Sequence, residues 1–131
     1  MRKFLFLILM LIIASLAACQ KETTIDFEDV PRDGDPATGA IIFTQKKEGA
    51  PPCDSCHTID DSPGKGPSLQ GYKDVAGKRV EGQSAEKYTF YSILLPSKHV
   101  VDGFSNIMYK QYDGKFTAQE LGDLIAYLLT L

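Results

Sequence analysis

Cys53-Asp54-Ser55-Cys56-His57 is the stretch on which the reading of this 131-residue chain turns. Two cysteines three positions apart, followed at once by histidine, form the attachment signature for a c-type haem. The spacing has a chemical reason. Across one helical turn both thiols lie on the same side, where they reach the two vinyl groups on one edge of a porphyrin. His57 then comes up beneath the ring with a nitrogen facing the iron. The same C-x-x-C pair has other uses: a redox dithiol, half of a zinc site, or a disulfide. A dithiol of the thioredoxin kind wants a βαβ pattern around it, and none is visible. Zinc wants four ligands; beyond the pair the chain offers only His57, His99 and Cys19.

The third cysteine has its own context. Arg2 and Lys3 precede an unbroken apolar run, Phe4 to Ile13, and Ala14 to Ala18 shifts to small residues. This is the form of a secretory signal peptide, and the run is shorter than a membrane-spanning helix needs. Leu16-Ala17-Ala18-Cys19 resembles the lipobox of bacterial lipoproteins. That resemblance implies removal of residues 1–18 and diacylglycerol on the Cys19 thiol. The alternatives are an uncleaved anchor or an ordinary cleavage site with a stray cysteine. With Cys53 and Cys56 on haem and Cys19 on lipid, none of the three cysteines remains for a disulfide, although an exported chain is ordinarily read for disulfides.

Of 14 Lys and Arg residues, Arg2 and Lys3 fall in the signal segment, leaving 12 against 17 Asp and Glu, a balance of −5. No basic patch with interleaved aromatics is present, which speaks against a nucleic-acid partner. An acidic surface either steers encounter with a positively charged redox partner or serves solubility.

Gln20 to Gly34 is acidic, with Ile25, Phe27 and Val30 as its only large apolar residues, and reads as a tether. Asp35-Pro36 opens a first helix over 36–47, with Asp as N-cap and Pro at the first helical position. Asp60 to Gly71 is rich in Pro and Gly and reads as a loop. A further helix starts near Ser84 and stops at Pro96. Val100 to Gly114 lacks periodicity and reads as an extended segment. Thr117-Ala118-Gln119-Glu120 is a capping box, followed by Leu121, Leu124, Ile125 and Leu128 at helical spacing. Gly122 inside that helix costs about 1 kcal/mol relative to Ala. The division is therefore residues 1–18 as signal, 19–34 as lipidated cysteine plus tether, and 35–131 as one all-α domain with long loops.

With these residues in place, Asp35 to Leu131 resembles the class I cytochromes c. It looks closest to the bacterial mono-haem domains found free, as lipoproteins, or fused to terminal-oxidase subunits. Gly39 and Phe43 look like the N-terminal helix pair that crosses the last helix, with Leu124 and Tyr127 as their partners there. Gly66-Pro67 looks like the Gly-Pro after the haem motif. Tyr88, Ser92-Ile93-Leu94, Pro96, Val100, Gly103-Phe104 and Met108 run in an order like that of the oxidase-linked domains. The resemblance implies a class I cytochrome c fold, three to four helices wrapped around one covalent haem c.

It also implies roles. Met108, the one methionine outside the signal segment, is the candidate sixth iron ligand, although Tyr109 stands where many relatives have proline. A thioether opposite histidine stabilises reduced iron. His99 is the rival ligand, with a surface position beside Lys98 as its plainer reading. The Pro67 carbonyl would accept from the second ring nitrogen of His57 and orient it. Tyr72 and Arg79 either hydrogen-bond the haem propionates or sit on the surface. The expected function is one-electron transfer in the cell envelope, on the periplasmic or extracytoplasmic side of a membrane. Its partners would be redox proteins, among them a membrane respiratory complex. The competing readings are a fixed subunit of a quinol-oxidising or oxygen-reducing complex, and a peroxidase-like enzyme with an open iron position.

Overall fold

The computed structural model describes residues 23–131. The signal segment 1–18 and the lipid attachment at Cys19 lie outside the described residues. Among the described residues there are four α-helices, two single 3-10 turns and one isolated bridge. No helix among them is long and apolar enough to cross a membrane.

Helix α1 spans Pro36–Thr44. The Asp35 carboxylate caps it, accepting from the Ala37 and Thr38 amides at 3.0 and 3.3 Å. The sequence leads to an end at 47, but the helix stops three residues earlier. Gln45 is already extended, and Glu48 and Gly49 take positive φ values of 45° and 83°. These two residues make a tight reversal closed by paired hydrogen bonds between Lys47 and Ala50. The reversal buries Ala50 completely and aims Pro51-Pro52 toward the cysteine motif.

Helix α2, Tyr72–Ala76, is only five residues long and escaped the sequence reading, because so short an element leaves no periodic pattern. Helix α3, Ala85–Leu94, begins where expected, with the Ser84 hydroxyl accepting from the Lys87 amide. Helix α4, Ala118–Leu128, carries the full capping box: Glu120 N–H donates to Thr117 Oγ1 and Thr117 N–H to Glu120 Oε2. Residues 60–71 and 100–114 are loops, as the composition indicates.

The core is organised around the crossing of α1 and α4. A Cβ built on Gly39 would lie 2.0 Å from the Asp123 carbonyl oxygen, so the two backbones touch. Phe43 packs on Tyr127 with ring centroids 5.5 Å apart. The partner of Gly39 is thus the Asp123 backbone with Tyr127, while Leu124 is fully buried and turns toward the interior.

The acidic stretch read as a tether is not free over its described part. Phe27 meets the fully buried Phe90 edge-on, with ring centroids 5.5 Å apart. Val30 is 3% exposed. The Asp35 amide donates to the buried Asp123 carboxylate at 2.8 Å. Residues 23–34 therefore form a strap laid across α3 and α4. The strap also explains Gly122: a Cβ there would come within 2.9 Å of the Pro31 carbonyl oxygen. The helix gives up propensity at that position so that the strap can lie flat.

Candidate functional site

Cys53–Ser55 forms a single 3-10 turn. The Ser55 hydroxyl donates to the Pro52 carbonyl at 2.6 Å and starts the turn. The amides of Cys56 and His57 both donate to the Cys53 carbonyl, at 3.2 and 2.9 Å. The five-residue motif is thus one compact turn. Both thiols are unpaired and half-buried. Burial, with the Asp54 charge adding to it, pushes the Cys53 thiol up to about 11. Among the described residues no three His, Cys, Asp or Glu side chains converge as they would around a zinc ion.

The Pro- and Gly-rich loop after the motif is an ordered bracket. The Gly66 amide donates to the Cys56 carbonyl at 2.9 Å and the Leu69 amide to the Thr58 carbonyl at 2.8 Å. This return brings the Pro67 carbonyl to 2.8 Å from His57 Nδ1. A carbonyl only accepts, so Nδ1 carries the proton and Nε2 presents a bare lone pair, the form in which imidazole binds a metal. Gly66 is required here: a Cβ would lie 2.6 Å from His57 Cε1.

All four helices and both long loops contribute to one cavity of about 1240 Å³, its open mouth included. Cys53, Cys56 and His57 line one side, and Met108 lines it from the 100–114 loop. Ile93, Leu124 and Leu128 add apolar wall. Paired thiols, a preset imidazole and an apolar chamber fit a covalently held porphyrin.

A sequence model of the family described as cytochrome c matches residues 36–131. The chain belongs to the cytochrome c family. A search among curated proteins returned no match. As a member of that family the protein is a haem c electron carrier with the all-α class I fold, and Cys53 and Cys56 are its cysteine pair for the covalent haem c.

The remaining expected residues of this cytochrome c are placed as follows. Met108 is half-buried and packs against the core. Tyr109, the residue after it, joins a row of aromatics. Its ring meets Tyr112 edge-on at 4.9 Å, and Tyr112 stacks on Phe116 at 5.8 Å. The Tyr112 hydroxyl donates to the Pro51 carbonyl at 2.6 Å, across 61 residues of chain. Burial raises the Tyr112 phenol, which stays protonated. Tyr112 thus joins the Met108 loop to the residues that enter the cysteine motif. The sequence reading missed it; the only signal was the recurrence of aromatics at 109, 112 and 116 in a segment that is not helical.

Arg79 reaches the cavity. Tyr72 does as well, but Thr89 Oγ1 already donates to the Ala85 carbonyl at 2.7 Å, so the Tyr72 hydroxyl, 2.9 Å from Thr89 Oγ1, is the donor of that pair. Its single proton goes to Thr89, and Arg79 lines the same wall. His99 is not the plain surface residue expected beside Lys98. It is half-buried, lines the cavity and sets its ring edge-on to Tyr88 at 5.6 Å.

Proposed function

We propose that this cytochrome c is a one-electron carrier with His57 and Met108 as axial ligands, held at the extracytoplasmic face of a membrane by lipid on Cys19. The observation that carries the ligand assignment is that Met108, the one thioether outside the signal segment, lines the same cavity as the bare Nε2 side of His57. The haem supplies one iron that alternates between ferric and ferrous states, gaining or losing a single electron. The chain supplies everything that tunes it. The Pro67 carbonyl makes His57 a better donor and fixes its plane. The Met108 thioether favours the reduced state. The apolar walls keep water from the iron and so reduce the reorganisation that accompanies a change of charge.

Phe104 and Ile107, 39% and 64% exposed, stand on the same cavity wall and leave apolar contact area for a redox partner. The acidic balance of −5 outside the signal segment favours a partner with a positive surface. No substrate bond is made or broken in this reading.

Extraction of membranes with mild detergent tests it. The protein is expected in the membrane fraction, with a covalent low-spin haem that is reduced and reoxidised by one electron. Rapid binding of carbon monoxide or cyanide to the resting protein would mean an open iron position and would overturn the reading in favour of a haem enzyme.

A further inference from the structure

The strap over residues 23–34 changes what the lipid on Cys19 can do. Its outer end is fastened twice: the Thr24 amide and hydroxyl both donate to Asp113 Oδ1, at 2.9 and 2.8 Å. Phe27 lies between the Phe90 ring and the Arg32 guanidinium, which sits 3.7 Å over its face. Val30 is buried, and Pro31 and Gly34 lie against Gly122. The chain is therefore committed to the domain from Thr24 onward.

Resting on the lipid-anchor reading above, we propose that the strap shortens the anchor to a leash, so that the domain face around Thr24 and Asp113 is held against the lipid surface. From Cys19 to Thr24, the first fastened residue, a fully extended chain spans at most about 18 Å, whereas a free chain from Cys19 to Asp35 would reach about 55 Å. A domain of this size has a radius of gyration of about 13 Å. That leash is shorter than the domain is wide, about 34 Å for a sphere of that radius of gyration, so the domain cannot turn its opposite face to the bilayer. Asp113 belongs to the segment between Met108 and α4, so this side of the Met108 loop is the one nearest the lipid. The occupant of that face is the membrane itself. A redox partner then has to meet the haem close to the membrane surface, which favours proteins embedded in the same bilayer over soluble ones.

Neutron reflectometry of the lipidated holoprotein on a supported bilayer measures this. The protein layer is expected to begin within about 18 Å of the headgroups. A Gly/Ser insert as long as the strap, placed between Glu22 and Thr23, leaves the fold untouched and should move the layer outward and broaden it. The triple variant Thr24→Ala, Phe27→Ala, Val30→Ser should do the same by releasing the strap. Hydrogen exchange on the natural chain should show protected amides at Thr24 and Val30. A natural chain as far out and as diffuse as the insert variant, with Cys19 shown by mass to be acylated, would overturn the leash and leave the anchor standing. A Cys19 without acyl groups and no adsorption would overturn the anchor and the leash together, and protected strap amides would then mark the anchor as the fault.

Discussion

Tyr112 donates its buried hydroxyl to the carbonyl of Pro51 at 2.6 Å. One hydrogen bond thus joins the loop that presents Met108 to the pair of prolines that leads into Cys53. The two sides of the haem chamber are held at a fixed separation by a residue adjacent in sequence to neither His57 nor Met108. Tyr112→Phe should leave haem attachment intact but lower stability by about 1–2 kcal/mol, since the Pro51 carbonyl loses its donor in a half-buried place. The Met108 loop should loosen, and the far-red sulfur-to-iron band of the oxidised protein should fade at lower temperature than in the natural chain. Thermal titration of that band checks it.

Gly66 lies directly under the His57 ring. Gly66→Ala should push the imidazole away and break its bond to Pro67. Because the thioether links depend on Cys53 and Cys56 alone, the haem should still be attached, with an altered midpoint potential and a mixed spin state. Electrochemistry and low-temperature paramagnetic resonance on the same sample would show both.

The crossing of α1 and α4 has no room at Gly39. Gly39→Ala should lower stability by about 1–3 kcal/mol or prevent folding. Gly77→Ala is the comparison. Its φ is −72°, and the added methyl would meet nothing closer than 3.4 Å, so the effect should stay within about 0.5 kcal/mol. Denaturant unfolding of the two variants side by side gives the answer.

Glu120 links α4 to the loop after α1 through Lys47. Burial alone would raise its pKa, but the Lys47 ammonium and the Thr117 amide and hydroxyl outweigh it, and the carboxyl titrates below its ordinary 4.5. A depressed folded value means stability that is fully present above the unfolded pKa and is lost as pH falls through the folded one. Glu120→Gln should therefore be less stable than the natural protein at pH 6, with the difference shrinking as pH drops below 4.5. Urea unfolding at successive pH values tests the sign.

Much of this site is legible in the sequence. The cysteine turn and the capping box depend on residues close in sequence, where spacing fixes the geometry, and the His57–Pro67 pairing is what the family resemblance implies. What stayed hidden depends on distant partners. The strap carries only Ile25, Phe27 and Val30 among acids, too few to announce burial, and its docking depends on Gly122 almost ninety positions on. Tyr112 looked like one more loop aromatic because Pro51 lies 61 residues away. Tyr72 stayed open between propionate and the surface because nothing in the sequence shows that its hydroxyl meets Thr89, 17 residues on.

The far-red absorption of the oxidised holoprotein, recorded for the natural chain, Met108→His and His99→Ala, tests the central claim most directly. The account predicts a sulfur-to-iron band in the natural chain, its loss in Met108→His with a lowered midpoint potential, and its survival in His99→Ala. A natural chain without that band, whose low-spin state disappears in His99→Ala, would contradict it and make His99 the sixth ligand.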